Sequence, residues 1–152
     1  MTERLIAEGW KSREMMGYTK HVGPLWVRQT DTDTAFGLLV ADIHLNRRGH
    51  LHGGMLATLA DNSLAWLVVA AVPGRPIATI QLNVHFIAPA RLGDFIEARG
   101  EVVKATRSLV FVRGRFSVGK ATIGEADGIW KILDDSPRGA AGPDASAVEG
   151  AE

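Results

Sequence analysis

The sequence predicts an α+β domain in which one long central helix is wrapped by an antiparallel sheet of five or six strands. Three observations predict it. Residues 53–71 are an apolar stretch opened by Gly53-Gly54 and closed before Pro73-Gly74, long enough for about five helical turns. After it come four strand-like segments joined by tight connections, which favour antiparallel hairpins over crossovers. The only charge inside the helical stretch is a carboxylate, Asp61.

The elements follow in order. Residues 3–16 carry Leu5, Ile6, Trp10, Met15 and Met16 among charges, a loose helical spacing that predicts an N-terminal helix within 1–17. Residues 22–28 read as a short extended segment anchored by Trp26. Residues 36–45 read as a strand with Phe36, Leu38 and Val40 on one side and Leu39, Ala41 and Ile43 on the other, so both faces should be covered for part of its length. In 53–71, Leu56, Leu59, Ala60 and Leu67 with their apolar neighbours nearly encircle the helix, which predicts burial all round.

Residues 77–87 alternate strictly, with Ala78, Ile80, Leu82, Val84 and Phe86 against Thr79, Gln81, Asn83 and His85, and Pro89 ends the run. Segments 95–104, 109–118 and 121–133 continue in that style, broken at Thr106-Arg107-Ser108 and at Gly119-Lys120. Residues 1–134 therefore read as one domain. The tail, 135–152, is mostly Ala, Gly, Pro, Ser and acids, and lacks the apolar area needed to order itself; disorder is expected there.

Composition excludes several function classes. A formal net charge of zero gives no footing for nucleic acid or an anionic membrane surface as partner. The absence of cysteine rules out a disulfide framework, a thiolate zinc site and a cysteine nucleophile. The first residues carry acids and no apolar signal-peptide core, and the longest apolar run, 64–72, falls short of the ~20 residues of a membrane span. A soluble, cytoplasmic protein is expected.

The candidate chemistry sits where the long helix begins. A glycine-opened helix start offers free backbone N–H groups and the positive end of the helix dipole. An oxyanion donor at Gly53 and a carboxylate base at Asp61 suggest acyl transfer to water. Taken alone, Gly53-Gly54 is only a turn and Asp61-Asn62-Ser63 only a satisfied polar spot. His50-x-His52 has no third metal ligand at clear spacing, so His52 reads as a structural residue, and neither metal nor cofactor is implied.

In register, these residues resemble a known family. Asn46-x-x-Gly49-x-x-His52-Gly53-Gly54, with Asp61 eight residues beyond Gly53, resembles the signature of PaaI-like hot-dog-fold acyl-CoA thioesterases. The strand from Thr79 to Pro89-Ala90, followed by Leu92-Gly93-Asp94, is similar to a strand and turn of that family, and the resemblance covers roughly residues 20–133. It implies hydrolysis of an acyl-CoA to the free acid and CoA. Gly53 would polarise the thioester carbonyl through its N–H, Asn46 would help hold the acyl group or carbonyl, and Asp61 would activate water or attack directly. Thr79 would lie beside the water, with His52 and Gly54 in supporting, substrate-binding positions. A non-catalytic acyl-CoA sensor and a hot-dog hydratase or dehydratase are the alternatives; the latter needs a paired His and acid in another arrangement.

One geometric step is independent of the family. Eight residues of helix separate Gly53 from Asp61 by ~12 Å, whereas a donor and a base acting on one carbonyl carbon must lie within ~3–4 Å of the reacting atoms. Two antiparallel copies of the helix about a twofold axis would bring Gly53 of one chain to Asp61 of the other, which predicts a homodimer or homotetramer. The acyl group is left open, as is the choice among Arg47, Arg48, Arg91, Lys104, Arg107, Arg113 and Arg115 for the CoA phosphates. Trp66 and Trp130 read as packing residues.

Overall fold

Strands dominate the computed structural model, which describes residues 1–30 and 33–134. They are β1 (Lys11–Arg13), β2 (Leu25–Gln29), β3 (Thr34–Leu39), β4 (Ile77–Phe86), β5 (Phe95–Ala105), β6 (Leu109–Val118) and β7 (Ala121–Ile132). Among the described residues they form one antiparallel sheet in the order β1-β2-β3-β5-β6-β7-β4. The α-helices among the described residues are α1 (Thr2–Ala7) and α2 (Gly53–Ala71). Among the described residues, strand β4 pairs only with β7, which leaves its other edge open.

Glycines decide how closely α2 approaches the sheet. Gly100 on β5 and Gly114 on β6 are register partners. A Cβ on either would lie 2.9 or 2.8 Å from Leu64 Cδ2, and one on Gly124 of β7 would lie 2.9 Å from Leu56 Cδ2. Leu56 and Leu64, two turns apart, therefore drop into notches where the sheet has no side chain. Around them Leu38, Leu59, Val68, Ile96, Val110, Phe116 and Trp130 are fully buried. Each such side chain contributes about 1.5–3 kcal/mol of burial energy.

A second, smaller cluster covers the opposite face at one end of the sheet. Leu5 and Trp10 pack there with Trp26, Ala35 and Phe95; the Trp10 and Phe95 rings meet edge to face at 4.8 Å between centroids. Gly37 lies beneath the Phe95 ring, which leaves no room for a Cβ there. Both faces of β3 are thus covered, as its two-sided apolar pattern predicts.

Several expectations need correction. The N-terminal helix does not extend through 1–17 but ends at Ala7, because Gly9 takes a left-handed backbone (φ +86°) and closes the helix: Gly9 N–H donates to Ile6 O and Trp10 N–H to Leu5 O. The chain then forms β1, which raises the sheet from the expected five or six strands to seven. The strand expected over 36–45 stops at Leu39, and Asp42–His44 is a 3-10 turn. Helix α2 is not buried all round in the single chain. Met55, Leu56, Leu59, Ala60, Ser63, Leu64 and Val68 face the core, while Gly54, Thr58, Asp61, Ala65 and Val69 line an outer face left partly open. By length and composition α2 could cross a membrane, but here its apolar face is seated on the sheet. The tail expected to be disordered lies outside the described residues.

Candidate active site

The site begins with a loop pinned from below by a buried histidine. His44, 3% exposed, accepts from Ala41 N–H through Nδ1 at 3.0 Å and faces Val22 O through Nε2 at 2.9 Å. Since Nδ1 must accept, the ring proton sits on Nε2, which donates to Val22 O. Burial holds the His44 pKa below its ordinary value, against the opposing pull of the Val22 carbonyl. The backbone carbonyl of His44 accepts from His52 N–H at 2.8 Å, fixing the residue that precedes the helix. Sequence reasoning passed over His44; the signal available was a lone histidine beside an apolar strand.

His52 caps α2. Its Nδ1 accepts from Gly54 N–H at 2.9 Å, and its carbonyl accepts from Met55 N–H. Its predicted supporting role is therefore a capping role, and Gly54 is the group it holds. Thr58 Oγ1 donates to Gly54 O at 2.9 Å. With its one proton so used, Thr58 accepts from Tyr18 Oη at 3.3 Å. The first turn is held at both ends, yet Gly53 N–H has no acceptor among the described residues. That leaves one donor free at the positive end of a 19-residue helix. The Phe86 ring lies over it: a Cβ on Gly53 would stand 3.3 Å from Phe86 Cε1.

Asp61 lies two turns further along α2, half-buried, and Thr79 Oγ1 donates to its Oδ1 at 2.9 Å. Strict alternation would place Thr79 with Gln81 on the outward face of β4. The strand instead carries a bulge: Thr79 pairs with Trp130 and Gln81 with Ile129, neighbouring residues of β7, so Ile80 has no partner. The extra residue reverses the alternation, turning Thr79 inward to α2 while Leu82 and Val84 still pack on the core. Ile80 is left 56% exposed. The predicted strict alternation is corrected, and the correction is what brings Thr79 to Asp61.

Asn46 closes the loop before His52. Its Oδ1 accepts from Arg48 N–H at 2.8 Å and His50 N–H at 3.3 Å, and its own N–H donates to His50 O at 2.7 Å. The predicted residues thus gather into two groups on one chain: Asn46, His52, Gly53 and Gly54 at the helix start, and Asp61 with Thr79 about 12 Å along the axis.

One central helix packed against a seven-stranded antiparallel sheet is the hot-dog fold. The chain belongs to the thioesterase superfamily, whose family model matches residues 48–124. A Pseudomonas aeruginosa protein named as a candidate esterase is 30% identical over 113 residues, 73% of this chain and 84% of its own length. Human acyl-coenzyme A thioesterase 13 is 35% identical over 72 residues, 47% of this chain; the match spans 51% of that relative's length. Among solved structures, a candidate thioesterase related to phenylacetic acid degradation, from Ralstonia eutropha JMP134, is 26% identical with a TM-score of 0.65, covering 70% of this chain and 83% of that one. A Bacillus halodurans protein crystallised with CoA shares the fold with a TM-score of 0.70 at 21% identity, over 80% of this chain and 82% of its own.

Proposed function

We propose that this protein hydrolyses acyl-CoA thioesters to the free acid and CoA at two equivalent sites of a homodimer. The observation that carries the proposal is the free Gly53 N–H beside an α2 face that also presents Asp61, already bonded to Thr79. A thiolate leaves readily, so catalysis must mainly stabilise charge on the carbonyl oxygen and remove a proton from water. Gly53 N–H of one chain meets the developing oxyanion, a contribution typically worth ~3–4 kcal/mol. Asp61 of the partner takes the water proton, and Thr79 holds Oδ1 so that Oδ2 faces the water. Attack by Asp61 itself, through a mixed anhydride, uses the same geometry.

Two features support the dimer. The outer face of α2 carries Gly54, Thr58, Asp61 and Ala65, small enough for close approach of a second helix, and the midpoint between positions 53 and 61 is Ala57. The open edge of β4 exposes Ile80 and Phe86 (62%), an apolar border that an isolated edge strand would ordinarily shield.

Subunit mixing tests the reading. Asp61→Asn and Gly53→Val chains should each be inactive in thiol release from a panel of acyl-CoAs. After co-refolding, mixed dimers hold one intact site, so about a quarter of wild-type activity should return. Absence of recovery from two folded, dimeric variants would reject the cross-subunit site. Binding of acyl-CoA without turnover by the wild type would favour a sensor instead.

A further inference from the structure

The basic residues that the sequence leaves open as phosphate contacts fall in three places. Arg113 and Arg115 on the outer sheet face are tied to Glu101 and Glu125, with Nε–Oε1 distances of 2.6 and 3.2 Å. Lys104 and Arg107 lie at the β5–β6 hairpin, at the end of the sheet where α2 finishes: Ile132 N–H donates to Ser108 O and Leu133 N–H to Pro76 O, just past the helix. Arg47, Arg48 and Arg91 converge at the opposite end, where α2 begins.

The convergence is tertiary. His50 and Arg91 form an antiparallel bridge, and Leu51 N–H donates to Ala90 O at 2.8 Å. Arg47 and Arg48 occupy the tip of a turn that Asn46 holds through four hydrogen bonds, two to its side chain and two through its backbone. The nearest acid in sequence to Arg91, Asp94, uses its Oδ2 on the Arg91 backbone N–H. Among the described residues, Arg4, Arg28, Arg75, Arg99, Arg113 and Arg115 each have a carboxylate partner, whereas Arg13, Arg47, Arg48, Arg91 and Arg107 have none. Of these five, Arg13 lies over the Trp66 ring, Arg107 stands apart on the β5–β6 hairpin, and Arg47, Arg48 and Arg91 are exposed together at the helix start. In a chain of zero net charge, three unneutralised guanidinium groups beside a free helix start form a concentrated positive field.

We propose that Arg47, Arg48 and Arg91 form the subsite for the phosphates of the CoA moiety, anchoring the nucleotide end while the thioester reaches a Gly53 N–H. This rests on the acyl-CoA reading above. The guanidinium fork suits phosphate oxygens, and six residues separate Arg47 from Gly53, a span of at most ~20 Å that an extended pantetheine arm can cover. Binding strength then comes largely from the handle common to all CoA thioesters and weakens with salt.

Calorimetric titration with CoA and with pantetheine tests this without turnover. The wild type should bind CoA about tenfold or more tighter than pantetheine. The Arg47→Gln/Arg48→Gln/Arg91→Gln variant, with an unchanged circular dichroism spectrum, should lose that difference, whereas Arg113→Gln/Arg115→Gln should retain it. In thiol release from acyl-CoA the triple variant should raise KM and leave kcat unchanged. Equal wild-type affinity for the two ligands, or a difference that survives the triple substitution, overturns the subsite while leaving the hydrolase reading intact. Tight, arginine-dependent CoA binding with no thiol release from any acyl-CoA upholds the subsite and rejects the hydrolase reading.

Discussion

Thr79 reaches Asp61 because β4 is bulged at Ile80: Oγ1 donates to Oδ1 at 2.9 Å across the helix–sheet boundary. One carboxylate oxygen is thereby fixed, and in the proposed reaction the other meets the water. Asp61→Asn should lower kcat by about 10²–10⁴, the span of general-base catalysis. Thr79→Val removes only a hydrogen bond to a charged group, worth about 1.5–3 kcal/mol, so it should cost roughly tenfold to a hundredfold. Thr79→Ser should stay near wild type. Thiol release measures all three, and an unaffected Thr79→Val would remove Thr79 from the mechanism.

Gly53 has little room above it. A Cβ at this position meets the Phe86 ring at 3.3–3.4 Å, so one of the two must shift. Gly53→Ala should lower kcat/KM about tenfold, equivalent to ~1.4 kcal/mol of misplaced oxyanion donor. Adding Phe86→Leu should return part of that loss. If the double variant is no better than Gly53→Ala, the crowding argument fails.

Gly100 tests how α2 is seated. Its Cβ would lie 2.7 Å from Arg113 O and 2.9 Å from both Leu64 Cδ2 and Leu67 Cδ1. Gly100→Ala should destabilise the fold by about 1–3 kcal/mol through overpacking. Combining it with Leu64→Ala should cost less than the sum of the two, because they share one contact. Denaturant midpoints of the four chains decide; strict additivity would deny the notch.

His44 should make stability pH-dependent. Its neutral form is the one the fold holds, accepting from Ala41 N–H and donating to Val22 O, and burial lowers its pKa in the folded chain. The unfolded chain takes up a proton near the ordinary value of about 6.5. The stabilisation is therefore present above that pH and lost as pH falls through the lower, folded pKa. Between pH 7.5 and 5 the wild type should lose more stability than His44→Gln, as read by thermal unfolding. Equal losses would show that His44 does not couple to pH.

The residues themselves determined the local parts of this protein. The extent of α2 follows from its glycine start, unbroken apolar run and Pro73-Gly74 stop, and the hairpins β5–β6 and β6–β7 follow from short polar connections. The placing of Gly53 and Asp61 eight residues apart on one helix was legible too, through spacing. Local pattern failed where distant segments impose geometry. Gly9 ended a helix that apolar spacing alone extends, because backbone closure at a left-handed glycine outweighs a weak periodicity. The bulge at Ile80 reversed a strict alternation, since pairing with β7 and contact with Asp61 together outweigh the pleat. His44 beneath the loop, and Arg91 drawn to the 46–50 turn by the His50 bridge, are decided by partners 22 and 41 residues away in sequence. Periodicity reports which face of an element is apolar; only the packed chain decides which other element that face meets.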